Sequence, residues 1–483
     1  MNKRRRTSGT RPAAVSINSV ASKARPRQPI TARAETQNKI WAFSIEAMPV
    51  KSLRPYAGNP RTHSKKQVQQ IADSIRRFGF TNPVLIGEDG EIIAGHGQVE
   101  AAKLLGLESV PTLRLAHLDA AQRRAYVLAD NKLALNAGWD QELLAIELQG
   151  LIAVDFDIEV TGFSPTEIDL VLDEARESSP EASAESEDQV PVPVDNPDSA
   201  VTRTGDMWWL GRHRLICGDA RDRAMFDLVM EDERADLIFT DPPYNVRIDG
   251  HATGLGRIRH REFAMGVGEM SVAAFTGFLQ QTLGNAAALA RSGCIAFVCM
   301  DWRHMGELLK AGQAAFSELK NLCVWNKTNG GMGTFYRSKH ELVFVFKVGN
   351  AGHTNTFGLG DGGRYRTNVW DYPGVNTSRR EDLAMHPTVK PVALVAEAIK
   401  DCSKRGEIVL DPFGGSGTTL MAAQKTGRLA RLIECDPLYC DTILRRFEHV
   451  TGREAIHAAS RKSFEEVTRE RTASAKIAKE PDR

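Results

Sequence analysis

"EIVLDPFGGSGTTLMAAQKTG", residues 407–427, decides the fold of this 483-residue chain. A short apolar run ends in Asp411 and a proline. Gly414, Gly415 and Gly417 follow, residues that let a backbone turn tightly and approach a ligand. Ser416 sits among them, Thr418 and Thr419 open a helical stretch, and Gly427 stops it. Strand, glycine turn and helix form half of a nucleotide-binding βαβ unit, and free N–H groups at such a helix start suit a carboxylate or phosphate. This is not a P-loop, because no Gly-Lys-Ser/Thr follows, and it is not G-x-G-x-x-G. The next apolar run, "RLIECDP", puts Glu434 about 20 residues on, where dinucleotide folds hold a ribose diol, with Asp436 just behind.

That pair of signals implies an adenosine ligand bearing a carboxylate rather than a pyrophosphate, and S-adenosylmethionine fits. Outward from it, "HRLICGD", "ADLIFTD", "CIAFVCM", "ELVFVFKV" and "ARLIECD" read as further strands. They are nearly continuous apolar runs, as expected of strands buried on both faces. Helical stretches such as "SVAAFTGFLQQTLGNAAALA" lie between several of them, which predicts a doubly wound α/β sheet. Asp219, Asp241 and Asp411 end three of the strands. Ligands bind at the carboxyl ends of strands in such sheets.

The strand "ADLIFT" ends in Asp241-Pro242-Pro243-Tyr244, about 170 residues before the glycine turn. This motif resembles that of DNA amino-methyltransferases, whose target, an exocyclic base amine, is a poor nucleophile because its lone pair is delocalised into the ring. Asp241 can accept one amine hydrogen and the Pro242 carbonyl the other, aiming the lone pair at a sulfonium methyl. Pro242 and Pro243 stiffen the loop, Tyr244 can stack on the base, and no metal is needed. The base must first leave the duplex.

With these motifs in view, residues 211–455 resemble a DNA amino-methyltransferase. The family's catalytic motif, Asp/Asn/Ser-Pro-Pro-Tyr/Phe/Trp, matches Asp241–Tyr244, and its F-x-G-x-G-T cofactor motif matches Phe413–Thr418. The catalytic motif comes first, which is the circularly permuted β-class order, with the recognition region between the two. "MHPTVKP" (385–391) resembles the segment the class carries before the cofactor loop, and "LICGDA" its opening motif. The resemblance implies a Rossmann-like S-adenosylmethionine-dependent domain, Asp219 near the adenine, Phe413 packed on the cofactor and Lys390 on its methionine carboxylate. His386 reads as structural. Asp at the first catalytic position favours adenine N-6, whereas Ser would lean to cytosine N-4. Trp325, Lys327, Arg337, Lys339, Arg364 and Arg366 mix aromatics with bases between the motifs, the natural place for contact with double-stranded DNA.

The N-terminal unit, about 41–176, is mixed α and β. "NPVLIGEDGEIIAGHG" predicts a hairpin around Asp89-Gly90, "QVEAAKLLGL" a helix, "SVPTLRL" a strand, and "HSKKQVQQIADSIRRFGF" a helix with Val68, Ile71 and Ile75 on one face. Residues 41–140 resemble the α+β ParB/sulfiredoxin-like domain, through "MPVKSLRPYAGNPRTHSKKQVQQIADSIRRFGFTNPVLI" and "IIAGHGQVEAAKLLGLESVPTL". ParB proteins bind cytidine triphosphate with a Gly-Glu-Arg-Arg box. Gly95-His96-Gly97-Gln98 stands there instead, so nucleotide hydrolysis is not expected. The sulfiredoxin cysteine is also missing, since the first Cys is Cys217. The domain reads as a DNA-binding or dimerising accessory, with His96 structural or DNA-contacting. Such pairings look like methyltransferases of phages or mobile elements. The other reading is a ParB-like segregation factor with a secondary methyltransferase half.

Residues 1–34 carry nine Lys/Arg and no acid and read as a disordered basic arm, though the net charge is only +1. Residues 177–200 hold seven acids and no base, a linker signature after a helical connector at 141–176. The last 28 residues read as a frayed helix or tail. Hydrophobic content of 42% and charged content of 25% are those of a soluble globular protein. No apolar run reaches the roughly 18 residues of a membrane span. Seven scattered cysteines without a C-x-x-C pair predict reduced thiols in a cytoplasmic protein.

Overall fold

The structure is a computed structural model that describes residues 43–154, 156–177, 200–246, 268–327, 335–357, 365–374 and 390–479. The basic arm, most of the acidic stretch, Arg364 and His386 lie outside these residues. Among the described residues, no helix is long and apolar enough to cross a membrane. All seven cysteines are free.

The N-terminal unit is built on a four-stranded sheet of order β1-β4-β2-β3, from β1 (Ile45–Pro49), β2 (Val84–Ile86), β3 (Ile92–Ala94) and β4 (Ser109–Arg114). β2 and β3 pair antiparallel around Asp89-Gly90, with Leu85 opposite Ala94. Gly90 supplies the positive φ, 76°, that the turn needs. Helix α1 (Lys65–Phe78) is capped by Ser64, which accepts from Gln67 N at 3.1 Å. Val68, Ile71 and Ile75 are half-buried, and Ala72 is fully buried. Helix α2 (His96–Leu104) begins at Gly95, and His96 Nε2 accepts the Tyr56 N–H at 3.2 Å. Burial lowers the pKa of that imidazole, so His96 acts here as a neutral structural acceptor.

Helices α3 (Ala120–Ala134), α4 (Gln141–Ala153) and α5 (Pro165–Glu177) follow. Leu148 of α4 and Ile168 and Leu172 of α5 share one small core. The far side of α5 is docked on the C-terminal unit. Asp169 accepts Arg428 Nη1 and Nη2 at 3.1 and 3.0 Å and forms an ion pair with Arg405, Nε at 2.9 Å, and Asp173 accepts Lys400 Nζ at 2.6 Å. The 141–176 segment is helical, and its last helix is anchored on the C-terminal unit.

The C-terminal unit is a ten-stranded mixed sheet of order β11-β9-β10-β8-β7-β12-β13-β6-β5-β14. Its centre is parallel: β8 (Ala290–Met300), β7 (Ala235–Thr240), β12 (Ile408–Asp411), β13 (Leu429–Glu434) and β6 (His213–Cys217). These are the apolar runs expected to be buried on both faces, and Cys294–Met300 is buried throughout. Helices α6 (Arg223–Met230), α7 (Val272–Ala288), α8 (Met305–Ala315), α9 (Val392–Cys402), α10 (Thr418–Thr426) and α11 (Pro437–Thr451) cover the faces. β7 lies beside β12, with Leu237 opposite Val409, so the catalytic strand and the cofactor strand are neighbours despite their separation in sequence.

Five strands escaped sequence reading: β1 in the N-terminal unit, and β5 (Met207–Leu210), β9 (Glu318–Asn326), β11 (Val369–Asp371) and β14 (Ala455–His457) here. β9 is long but carries four exposed residues, Glu318–Asn321, so its apolar pattern shows only at its end. The stretch read as a frayed helix or tail carries a helix. β14 closes the sheet edge, and α12 (Phe464–Lys479) buries Phe464 and Val467 in the main core.

Candidate active site

Two loops meet where β7 and β12 end. Beyond β7, Pro242 is buried and Asp241, Pro243 and Tyr244 are half-buried. Asn245 then takes a left-handed turn, φ 53°, a conformation Asn tolerates better than most residues. Its side chain holds the chain's return: Nδ2 donates to Met270 O at 2.9 Å, and Oδ1 accepts from Gly268 N and Met270 N at 3.1 and 3.2 Å.

Beyond β12, the turn is pressed against its neighbours. Gly414 N donates to Ile433 O at 2.8 Å, and a Cβ on Gly417 would lie 3.2 Å from Ile443 Cγ1. Gly417 also has φ 83°, so only glycine opens α10 there without strain. Ser416 Oγ lies 3.3 Å from Thr418 Oγ1, and the Ser416 carbonyl accepts from buried Arg446 at 2.9 Å. Phe413 packs on Phe278 with ring centroids 5.8 Å apart.

Asp411 braces the two loops. It accepts Thr240 Oγ1 at 2.9 Å, Phe413 N at 3.0 Å and Thr419 Oγ1 at 2.6 Å. Burial raises its carboxyl to about 7, against the pull of those donors. Glu434, at the end of β13, accepts Gly415 N and Asp436 N, both at 2.8 Å, and burial raises it to about 7 as well. Asp436 caps α11 through Leu438 N at 3.0 Å. Asp219, after β6, is bound by Arg221, with Nη2 at 2.6 Å from Oδ2. Arg221 holds its carboxyl below the ordinary range despite partial burial, which acts the other way.

Lys390 lies against the catalytic loop. Its buried ammonium donates to Asp241 Oδ2 at 2.6 Å and Tyr244 Oη at 3.1 Å, and lies 3.0 Å from Glu341 Oε2. Three acceptors for three N–H groups bind it to the catalytic motif. Glu341, from β10 (His340–Lys347), is the site residue that sequence reading missed. It accepts Tyr244 Oη at 3.2 Å and pairs with Lys327, and its pKa falls to about 2 because the two lysines outweigh burial. An acid at the head of the apolar run "ELVFVFKV" was the available signal.

The expected DNA-contacting set divides. Lys327 is tied to Glu341 and lies 4.5 Å from the centroid of the Trp325 ring, and Trp325 is itself buried. Arg366 Nε pairs with buried Asp401 at 3.0 Å and lies over Trp370. These two bases serve the fold's interior. Arg337 and Lys339 are exposed, next to Phe335 and Tyr336, whose exposures are 87% and 81%.

A proline-stiffened carboxylate and a glycine cradle at adjacent strand ends in the parallel centre of a mixed sheet are the site of a nucleoside-cofactor methyltransferase. The DNA methylase family covering N6 and N4 modification matches residues 235–445, the ParB-methyltransferase HTH domain matches 142–204, and the ParB N-terminal domain matches 14–132. The ParB-like nuclease domain-containing protein YnaK of Escherichia coli (strain K12) is 55% identical over 82 residues, 17% of this chain and 94% of that protein. Type II methyltransferase M2.MboI of Moraxella bovis is 24% identical over 234 residues, 46% of this chain and 83% of that protein. PvuII DNA methyltransferase (cytosine-N4-specific) is a solved structure with 14% identity and a TM-score of 0.38, covering 54% of this chain and 92% of that one. The chain carries an N6/N4 DNA methylase domain joined to a ParB-like N-terminal domain, and the cofactor of that domain is S-adenosylmethionine.

The residues present fit that cofactor. A Cβ at Gly415 would meet nothing closer than 3.8 Å, so the cradle is open on that side. The buried Glu434 carboxylate and the N-terminus of α10 stand at either end of the turn, one suited to a ribose diol and the other to a carboxylate.

Proposed function

We propose that this protein methylates the exocyclic N-6 amine of adenine in double-stranded DNA. The observation that carries the reading is the placement of Asp241 at the end of β7, beside the cofactor cradle. The cofactor supplies an electrophilic methyl on a sulfonium. Asp241 accepts one hydrogen of the target amine and the Pro242 carbonyl the other, which draws the nitrogen toward tetrahedral geometry. Pro242 and Pro243 hold that carbonyl in place. The Tyr244 ring, its hydroxyl fixed 2.7 Å from Asp241 Oδ1, offers a stacking face to the extruded base. Phe413, Asp219, Asp411, Glu434 and the 414–418 turn form the cofactor pocket, and Arg337 and Lys339 reach the DNA backbone. The N-terminal unit is an accessory that binds DNA or dimerises.

The test is transfer of labelled methyl from S-adenosylmethionine to unmethylated duplex DNA, followed by nucleoside analysis, with Asp241→Ala alongside. N-6-methyladenine from the native protein alone is the expected result. N-4-methylcytosine would keep the mechanism and change the base, and no transfer to DNA would overturn the reading.

A further inference from the structure

Four charged side chains alternate in sign behind the catalytic loop: Asp241, Lys390, Glu341 and Lys327. Lys390 is 4% exposed, Glu341 12% and Asp241 28%. Asp241 and Glu341 also share the Tyr244 hydroxyl, at 2.7 and 3.2 Å. Two carboxylates this close, and largely out of water, stay ionised together only with a cation between them. Lys390 is that cation: burial and Glu341 push the Asp241 carboxyl up, and Lys390 pulls it back down. Other titratable groups facing the cluster are the Cys299 thiol of β8, which burial keeps neutral, and Asp411 of β12.

We infer that Lys390, held in place by Glu341, is a positioning residue that keeps Asp241 ionised and turned toward the target amine. The inference rests on the proposed methyl transfer to a base amine, which requires Asp241 as a hydrogen-bond acceptor. Without Lys390, one proton is shared between Asp241 and Glu341. A protonated Asp241 offers a donor where the amine needs an acceptor. Glu341 contributes by fixing Lys390. Once Lys390 is gone, Glu341 becomes the like charge that drives protonation of Asp241.

This gives Glu341 opposite effects in two backgrounds. Lys390→Met lowers kcat by roughly 100-fold at neutral pH, and its activity rises with pH through a new ionisation. Glu341→Gln alone costs activity. Added to Lys390→Met, Glu341→Gln restores part of the rate near neutral pH, because the second carboxylate no longer competes. Affinity for S-adenosylmethionine is unchanged in all three. A double variant no faster than Lys390→Met, or a loss of cofactor affinity at every pH, overturns the inference and returns Lys390 to the cofactor.

A second measurement needs no turnover. In Lys390→Met a buried carboxyl with a raised pKa makes the protein lose stability as pH rises through neutrality, and Lys390→Met/Glu341→Gln reduces that slope. Equal slopes for the two variants overturn the inference even if the native protein proves inactive on DNA. Inactivity of the native protein with unequal slopes overturns only the proposed function.

Discussion

Asp169→Asn should unfasten the helical unit from the methyltransferase sheet, at a cost set by burial. Asp169 is 4% exposed, Arg428 is 0% and Arg405 is 14%. Removing the carboxylate strands two guanidinium groups with almost no access to water, and breaking such a pair costs about 3–5 kcal/mol. The lower end applies here. Arg428 keeps Ser403 O at 2.7 Å, Thr426 O at 2.6 Å and Ser403 Oγ at 3.2 Å, which satisfy three of its five N–H donors but not its charge. For a unit of this size, about 3 kcal/mol lowers Tm by roughly 6 °C or more. Calorimetry of the full chain measures it. High salt should not reproduce the effect, because buried pairs are weakly screened. Asp169→Asn/Arg428→Met should regain much of the loss, since no charge is then stranded at Arg428. A shift below about 1 kcal/mol for Asp169→Asn alone, in the range of a surface pair, would refute the reasoning.

Other consequences can be measured separately. The Asp411 carboxyl has a folded pKa of about 7, above its unfolded value, so the stability of its protonated form is full below the ordinary carboxylate range and is lost as pH rises to about 7. Asp411→Asn should flatten denaturation midpoints across that window, with Glu434 leaving a residual slope of the same sign. Gly417→Ala combines a left-handed φ with a contact against Ile443, so it should cost about 1–2 kcal/mol in denaturant melts and weaken cofactor binding in calorimetric titrations. Arg337→Ala and Lys339→Ala should each reduce the slope of log affinity for DNA against log salt by about 1 in binding titrations. Lys327→Ala and Arg366→Ala should instead lower Tm, because their charges are spent on Glu341 and Asp401.

The sequence by itself determined the parts whose chemistry is local. A strand buried on both faces must be apolar throughout, so β7, β8, β12 and β13 were legible as runs. A backbone that turns at φ 83° against Ile443 needs glycine, so the cofactor turn showed in composition. The order of the motifs then fixed the class, because an acid and two prolines closing one strand and a glycine turn closing another are separate, short signals. Tertiary structure alone decided which distant residues share a charge. Lys390 and Asp241 are 149 positions apart, and Arg428 and Asp169 are 259 apart. No period or spacing links a buried cation to its partner, because the pairing is set by the sheet order that brings β7, β10 and the head of α9 to one place. The same reason separates Lys327 and Arg366 from Arg337 and Lys339: all four are bases in one polar stretch, and only packing decides which of them face water.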